Sequence, residues 1–358
     1  MQFSVFKTNG VREIPFELKD SVIETLRSRW MSFAESCTRY PTEKFFGRGI
    51  VICAGGIIYF TCAIVAITRL RAQGCNLPIE VWSKPGELTE DAVKALVSLD
   101  AIPRVFSDEA LKSHRYCLKP LAILRSSFQE VLYLDADNNC LLDPSYLFDL
   151  PEFVATGALF WPDFWTTAHD NPIWEIISKI PEDSPEQESG QMLINKEICW
   201  RPLQLCLYFN RESNIYYKLL HGDKDTFRFA WLALDFKFTM INKPVGVCGH
   251  IPQDGKFTGN TMIQFGVDGN PLFMHRNLKK WYYMTDFTLY WTHMRTFTDS
   301  AAHRNYILDF TNANEPFLAI NGDVAEENCD AYISQYEIDA LKFLEKLKKS
   351  AAYLNFTS

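Results

Sequence analysis

The stretch Glu130-Val-Leu-Tyr-Leu-Asp135-Ala-Asp137-Asn138-Asn139 decides how this chain is read. An apolar strand runs directly into two carboxylates separated by one residue. In an α/β sheet, ligands collect in the crevice outside the carboxyl ends of the strands. Carboxylate oxygens are the donors that Mg2+ and Mn2+ prefer. The pair therefore reads as a site for a hard cation that bridges a nucleotide diphosphate. Asp-x-Asp alone is a common pattern, and Asp223-Lys-Asp225 repeats it, so the weight rests on the strand in front of Asp135. An EF-hand loop starting at Asp135 would need glycine sixth and glutamate twelfth, where the chain has Cys140 and Tyr146. A haloacid dehalogenase-like phosphatase shares the strand and the acids but usually carries Thr or Val where this chain has Asn139. The bland alternative is a solvated turn in which both Asp cap the next segment.

Working outward, strand and helix patterns alternate. A strand to Cys53 leads through Ala54-Gly55-Gly56 into a helix to Ala72. Then follow a strand over 79–82, a helix over 89–99, a short strand near Val105 and a helix over 117–126 that feeds the acid-bearing strand. Such alternation predicts an α/β fold with a mostly parallel, Rossmann-like sheet and flanking helices. Leu18, Val22, Leu26, Trp30 and Phe33 mark an amphipathic helix before it. Beyond Pro144 the periodicity weakens. Strands are expected over 157–161 and 191–195, with an acidic, proline-bearing loop at 181–188 between them as a lid or acceptor rim. Helices are expected over 202–220 and 225–234. Residues 262–275 read as strand with a turn at Asp268-Gly269, and 336–347 as a last helix. The organisation expected is a helical extension over 1–46, a catalytic body over 47–300 and a second helical extension over 301–358.

Composition bounds the function. With 47% hydrophobic and 14% aromatic residues the chain can fill a large core, and its net charge of −8 argues against a nucleic-acid partner. Ten cysteines without a C-x-x-C pair show no zinc ribbon or redox motif, and their scattered spacing fixes no disulfide connectivity. Residues 49–68 carry no charge and approach a membrane span in length, but their strand–glycine–helix grammar reads as soluble fold. The amino terminus shows no signal-peptide pattern. Asn355-Phe-Thr357 forms a glycosylation triplet.

Taken together, Arg48-Gly-Ile-Val-Ile-Cys-Ala-Gly-Gly56, Leu77-Pro-Ile-Glu-Val-Trp82, Lys119-Pro-Leu-Ala, Ser126 to Asn138, Gly157-Ala-Leu-Phe-Trp-Pro-Asp163 and His221-Gly-Asp-Lys-Asp-Thr226 resemble the fungal Golgi α-mannosyltransferases of glycosyltransferase family 71. More distantly they are similar to glycogenin-like transferases. The resemblance implies a GT-A fold, a divalent cation (Mn2+ or Mg2+), GDP-mannose as donor with a UDP-sugar as the alternative, and a glycan acceptor. It also implies the Golgi lumen, against a chain that shows no anchor; a soluble cytoplasmic form is the other option.

By the same resemblance, Asp135 and Asp137 are the metal and diphosphate carboxylates. His275 in Phe273-Met-His275-Arg-Asn-Leu-Lys-Lys280 is the third ligand, and Lys279 or Lys280 faces the phosphates. Ala54, Gly55 and Gly56 let the backbone approach the nucleotide, and Tyr59 either stacks on the base or fills core. Lys119 either meets the donor or is solvated. Glu188 and Gln191, in Glu188-Ser-Gly-Gln191-Met-Leu-Ile-Asn195, match a stretch that lines the sugar pocket. Asp225 stands where the relative has an acid on sugar hydroxyls, or serves as a helix N-cap. Trp161, Pro162, Asp163, Trp165 and Asp170 are read as the acceptor side, with burial of both tryptophans as the alternative. Retention at the anomeric carbon follows from the family, by same-face attack or through Glu188 or Asp225 as nucleophile. The rival functions are a non-catalytic carbohydrate-binding relative and the dehalogenase-like phosphatase.

Overall fold

A computed structural model describes residues 4–107, 117–253, 255–309 and 316–356. In chain order the strands are β1 (Val5–Phe6), β2 (Val11–Glu13), β3 (Arg48–Cys53), β4 (Ile79–Ser83), β5 (Ala101–Val105), β6 (Glu130–Asp135), β7 (Asn138–Cys140), β8 (Ala158–Thr167) and β9 (Pro185–Asn195). They continue with β10 (Thr239–Met240), β11 (Gly246–His250), β12 (Thr258–Phe265), β13 (Pro271–His275), β14 (His293–Phe297), β15 (Arg304–Asp309), β16 (Phe317–Gly322) and β17 (Val324–Asn328). Helices of two turns or more are α1 (Asp20–Ser36), α2 (Gly56–Ala72), α3 (Glu90–Val97), α4 (Leu118–Arg125), α5 (Trp200–Arg211), α6 (Ser213–Leu220), α7 (Thr226–Ala233) and α8 (Ala331–Leu347). The chain divides into two compact units, and β3 and β6 begin in the first and end in the second.

The first unit takes residues 4–51, 117–133 and 147–240. Its strands run in the order β1-β2-β8-β9-β6-β3, with β10 beside β8. The expectation of a mostly parallel sheet is corrected here. β2 and β10 pair with β8 in parallel, but β8 and β9 are antiparallel, as are β1 and β2. β8 and β9 are also longer than the sequence suggested, and the acidic loop shrinks because β9 already begins at Pro185. Nearly every residue of both strands is buried, so neither shows the in–out alternation that marks a half-exposed strand. α1 forms as expected, but its inner face is Ile23, Leu26, Trp30 and Ala34, and Val22 is exposed.

The second unit takes 52–107, 134–146 and 241–356 among the described residues. β4 and β5 pair in parallel, Ile79 opposite Ala101. The uncharged stretch behaves as its grammar required. Gly56 opens α2 at a φ of +68, and nine side chains of that helix are buried. Among the described residues no helix is long and apolar enough to cross a membrane. A second sheet, antiparallel in the pairings β15-β16-β12-β11-β14-β17, carries β13 on β12 and β7 on β13. Asp268-Gly269 turns β12 into β13 as read from the sequence. Residues 4–19 contain strands as well as loop, and 304–328 contain three strands before α8, so neither terminal extension is purely helical.

Candidate active site

The second unit holds the acid pair. β6 ends at Asp135, a two-residue turn follows, and β7 pairs with β13 so that Asn138 lies opposite His275 and Asn139 opposite Met274. That register delivers the histidine to the acids. Ligand atoms of Asp135 and His275 lie within 4.8 Å of each other. Asp137 Oδ1 is 3.3 Å from His275 Nε2, and its Oδ2 accepts a hydrogen bond from Lys280 Nζ. Asp137 is 4% exposed and His275 7%, so both side chains are largely cut off from water. Burial would raise the Asp137 pKa, but His275 and Lys280 overcome it and hold the carboxyl well below the usual carboxylate range. Lys280 shows the converse: burial would lower its pKa, and Asp137 raises it.

Further hydrogen bonds frame the pair. Asn139 Nδ2 donates to the carbonyls of Asp137 at 3.1 Å and Met274 at 3.0 Å, while Trp281 Nε1 donates to Asn139 Oδ1 at 3.1 Å. The Arg276 amide donates to Asp137 O at 2.9 Å. Its guanidinium pairs with Glu337 of α8 at 2.7 Å, both side chains fully buried, and Glu337 also accepts the amides of Tyr290 and Trp291. Sequence reasoning assigned no role to Asn139, Arg276, Trp281 or Glu337. The only local signal was that an arginine directly follows the candidate ligand.

The remaining candidates separate clearly. Of the two lysines, Lys280 reaches Asp137, whereas Lys279 Nζ stands 5.0 Å from the Tyr290 ring centre. Tyr59, on α2, is 40% exposed, and Lys280 Nζ lies 5.6 Å from its ring centre. Gly55 has a packing reason to be glycine, since a Cβ there would fall 1.9 Å from Glu87 Oε2. The Ala54 amide donates to Trp82 O and the Gly56 amide to Glu87 O.

In the first unit the second acid pair is spent on ion pairs. Lys119 Nζ lies 3.2 Å from Asp223 and donates to Ser189 Oγ at 2.8 Å. Lys224 contacts Asp163 at 2.6 Å and also Glu186, which in turn accepts Arg12 Nε at 2.6 Å. Asp225 accepts two hydrogen bonds of 2.9 Å from Arg228 and one of 2.8 Å from the Gln187 amide. It occupies the N-cap position of α7 without capping it by its side chain. Glu188 is 8% exposed and accepts the Gly190 amide at 2.6 Å, and Gln191 is fully buried in β9. Burial pushes the Asp163 pKa up to about 6, with Glu188 and Glu186 adding to it and Lys224 opposing. Trp161 is wholly buried and Trp165 is 6% exposed, its ring 4.5 Å from that of Phe6, so neither offers the sugar-stacking face expected of it. Asp170 is exposed.

Against known proteins, the family model described as "Mannosyltransferase putative" matches residues 47–187 and 175–266, more than half of the chain. The chain belongs to this family. Its relatives include an alpha-1,2-mannosyltransferase of Candida albicans, MNN21, 30% identical over 63% of this chain and 44% of the relative. Another is the alpha-1,2-mannosyltransferase MNN2 of Saccharomyces cerevisiae, 28% identical over 63% of this chain and 46% of the relative. This mannosyltransferase-family chain spans about half the length of the curated relatives it matches. Among solved structures it is similar to a galactosyltransferase, LgtC, crystallised with donor and acceptor sugar analogs. That match has 15% identity and a TM-score of 0.39 over 54% of this chain and 73% of the other.

Proposed function

We propose that the chain is a metal-dependent, retaining α-mannosyltransferase of GT-A type that moves mannose from GDP-mannose to a glycan acceptor. Family membership supports the sugar transfer, and the constellation of buried Asp137 and His275 with half-buried Asp135 and Lys280 carries the reading. Two carboxylates and an imidazole are a donor set that suits Mn2+ or Mg2+. Asp135, Asp137 and His275 would hold the ion, which supplies positive charge where the departing diphosphate gains negative charge. Lys280, which now pairs with Asp137, would add a second cation beside the departing phosphates.

Glu188 and Gln191 are proposed to contact the donor sugar. Asp225 is less suited to that role, because Arg228 and the Gln187 amide already engage both its oxygens. Lys119 is proposed to orient the Glu188-Ser-Gly segment of β9 through Ser189. Attack by the acceptor on the face that the diphosphate leaves would use no protein nucleophile. The catalytic body is proposed as 47–300 with extensions on either side, acting in the Golgi lumen as part of a longer protein.

The test is a donor panel. GDP- and UDP-sugars are incubated with the protein, with Mn2+ or with a chelator, and nucleotide release is followed. GDP-mannose turnover that stops on chelation supports the proposal. Metal-independent sugar binding without turnover would favour the carbohydrate-binding reading, and release of inorganic phosphate from aryl phosphates would favour the phosphatase.

A further inference from the structure

We infer that Cys248 and Cys329 form a disulfide when the protein meets an oxidising thiol–disulfide buffer, fastening the end of β17 to β11 across β14. This stands independently of mannosyl transfer. Their Sγ atoms lie 3.5 Å apart. Three of the other buried thiols face oxygen: Cys117 lies 2.7 Å from Asn210 O, Cys199 3.4 Å from Gly157 O and Cys206 3.5 Å from Thr226 Oγ1.

The register explains the meeting. Cys248 pairs with Met294 across β11 and β14, and the Cys329 amide donates to Thr292 O at 2.9 Å. Positions two apart on a strand share a face, so both thiols project from the same side of the sheet, flanking β14. The Thr292 amide donates to Gly249 O at 3.0 Å, completing a backbone link between the two cysteine-bearing segments. A disulfide needs an S–S separation of about 2.05 Å. Cys329 stands one residue past the end of β17, where side-chain rotation and a small backbone adjustment supply the approach.

Access also fits. Cys329 is half-buried and Cys248 fully so. The Cys329 thiolate attacks a small-molecule disulfide such as glutathione disulfide, forming a mixed disulfide and releasing one glutathione thiol. Cys248 then attacks the Cys329 sulfur and displaces the second glutathione. Two protein thiols are oxidised, one glutathione disulfide is reduced, and the two protein protons end on the released thiols. Burial raises the pKa of Cys248, which leaves the half-buried Cys329 to make the first attack.

The test equilibrates the full chain in oxidised and in reduced glutathione buffers, followed by alkylation and non-reducing peptide mapping. The expected result is a peptide pair joined through Cys248 and Cys329, with a melting temperature roughly 5 °C higher than in the reduced sample. Hydrogen exchange across β17 should slow in the oxidised sample. Cys329→Ser should abolish the thermal gain, and Cys37→Ala should keep it. The inference is overturned if both thiols alkylate equally in the two buffers, if Cys329 stops at a glutathione adduct, or if either cysteine is found joined elsewhere.

Discussion

Asp137 is the residue on which the site turns, because it meets two basic side chains while almost excluded from water. Asp137→Asn should lower turnover of GDP-mannose at least about 100-fold, measured as nucleotide release at saturating Mn2+. The two adjacent lysines give a sharper contrast. Lys280→Ala should lower kcat at least about 10-fold, whereas Lys279→Ala, beside Tyr290, should stay within about 2-fold in the same assay. Equal losses in both would remove Lys280 from its role. Glu186 offers a pH signature at this scale. Burial raises its pKa, but Arg12 and Lys224 hold it below its ordinary value of 4.5. A depressed carboxyl contributes stability that is present above the unfolded-state pKa and is lost as pH falls below it. Glu186→Gln should therefore destabilise by about 3 kcal/mol or more near pH 7. The gap to the native protein should narrow as pH drops below about 4.5, as read by urea unfolding at each pH. That His275 and one of the two lysines gather at Asp137 was anticipated through the family resemblance, but the ion pair of Glu186 was not legible in the letters. Arg12 and Glu186 are 174 residues apart, and no periodicity announces such a pairing.

Among the elements, the β7–β13 ladder matters most, since it fixes which side chain faces Asp137. A register slip of one residue would send His275 to the opposite face of its strand. β11 and β12 approach closely at Gly249. A methyl group at Gly249 would fall 2.1 Å from the Thr258 carbonyl oxygen and 2.6 Å from Gly259 Cα, both backbone atoms that cannot swing aside. Gly249→Ala should cost roughly 3 kcal/mol, visible as a lowered urea midpoint with an unchanged slope. Edge strands are guarded: Pro103 interrupts β5, and Glu326 and Glu327 are exposed on β17. Here the sequence was partly readable. The strand–glycine–helix run from Arg48 and the Asp268-Gly269 turn carry local signals that the structure honours. β8 and β9 were read only over 157–161 and 191–195, because burial on both faces erases the alternation along the rest of each strand. β15 and β17 are polar and mostly exposed, so their pairing partners rather than their own letters make them strands.

At the scale of the whole molecule, the family match stops at residue 266, while the second unit continues to α8. The fold class and the acid pair could be read from sequence; the mixed sheet could not, since strand direction depends on partners distant in the chain. Ending the chain at 266 would remove β13, which pairs with both β12 and β7, and would take His275 with it. The full chain should unfold cooperatively by circular dichroism, and such a truncation should lose that transition. α2 carries the same dependence into biosynthesis. It packs on β7, on the turn at Trp281–Tyr283 and on α8, and Phe60 meets Phe356 at 5.2 Å between ring centres. Nearly all of that cover leaves the ribosome more than two hundred residues after the helix does. For most of its synthesis the nascent polypeptide must carry an uncovered greasy segment, which makes it a client for holdase chaperones until its last elements emerge.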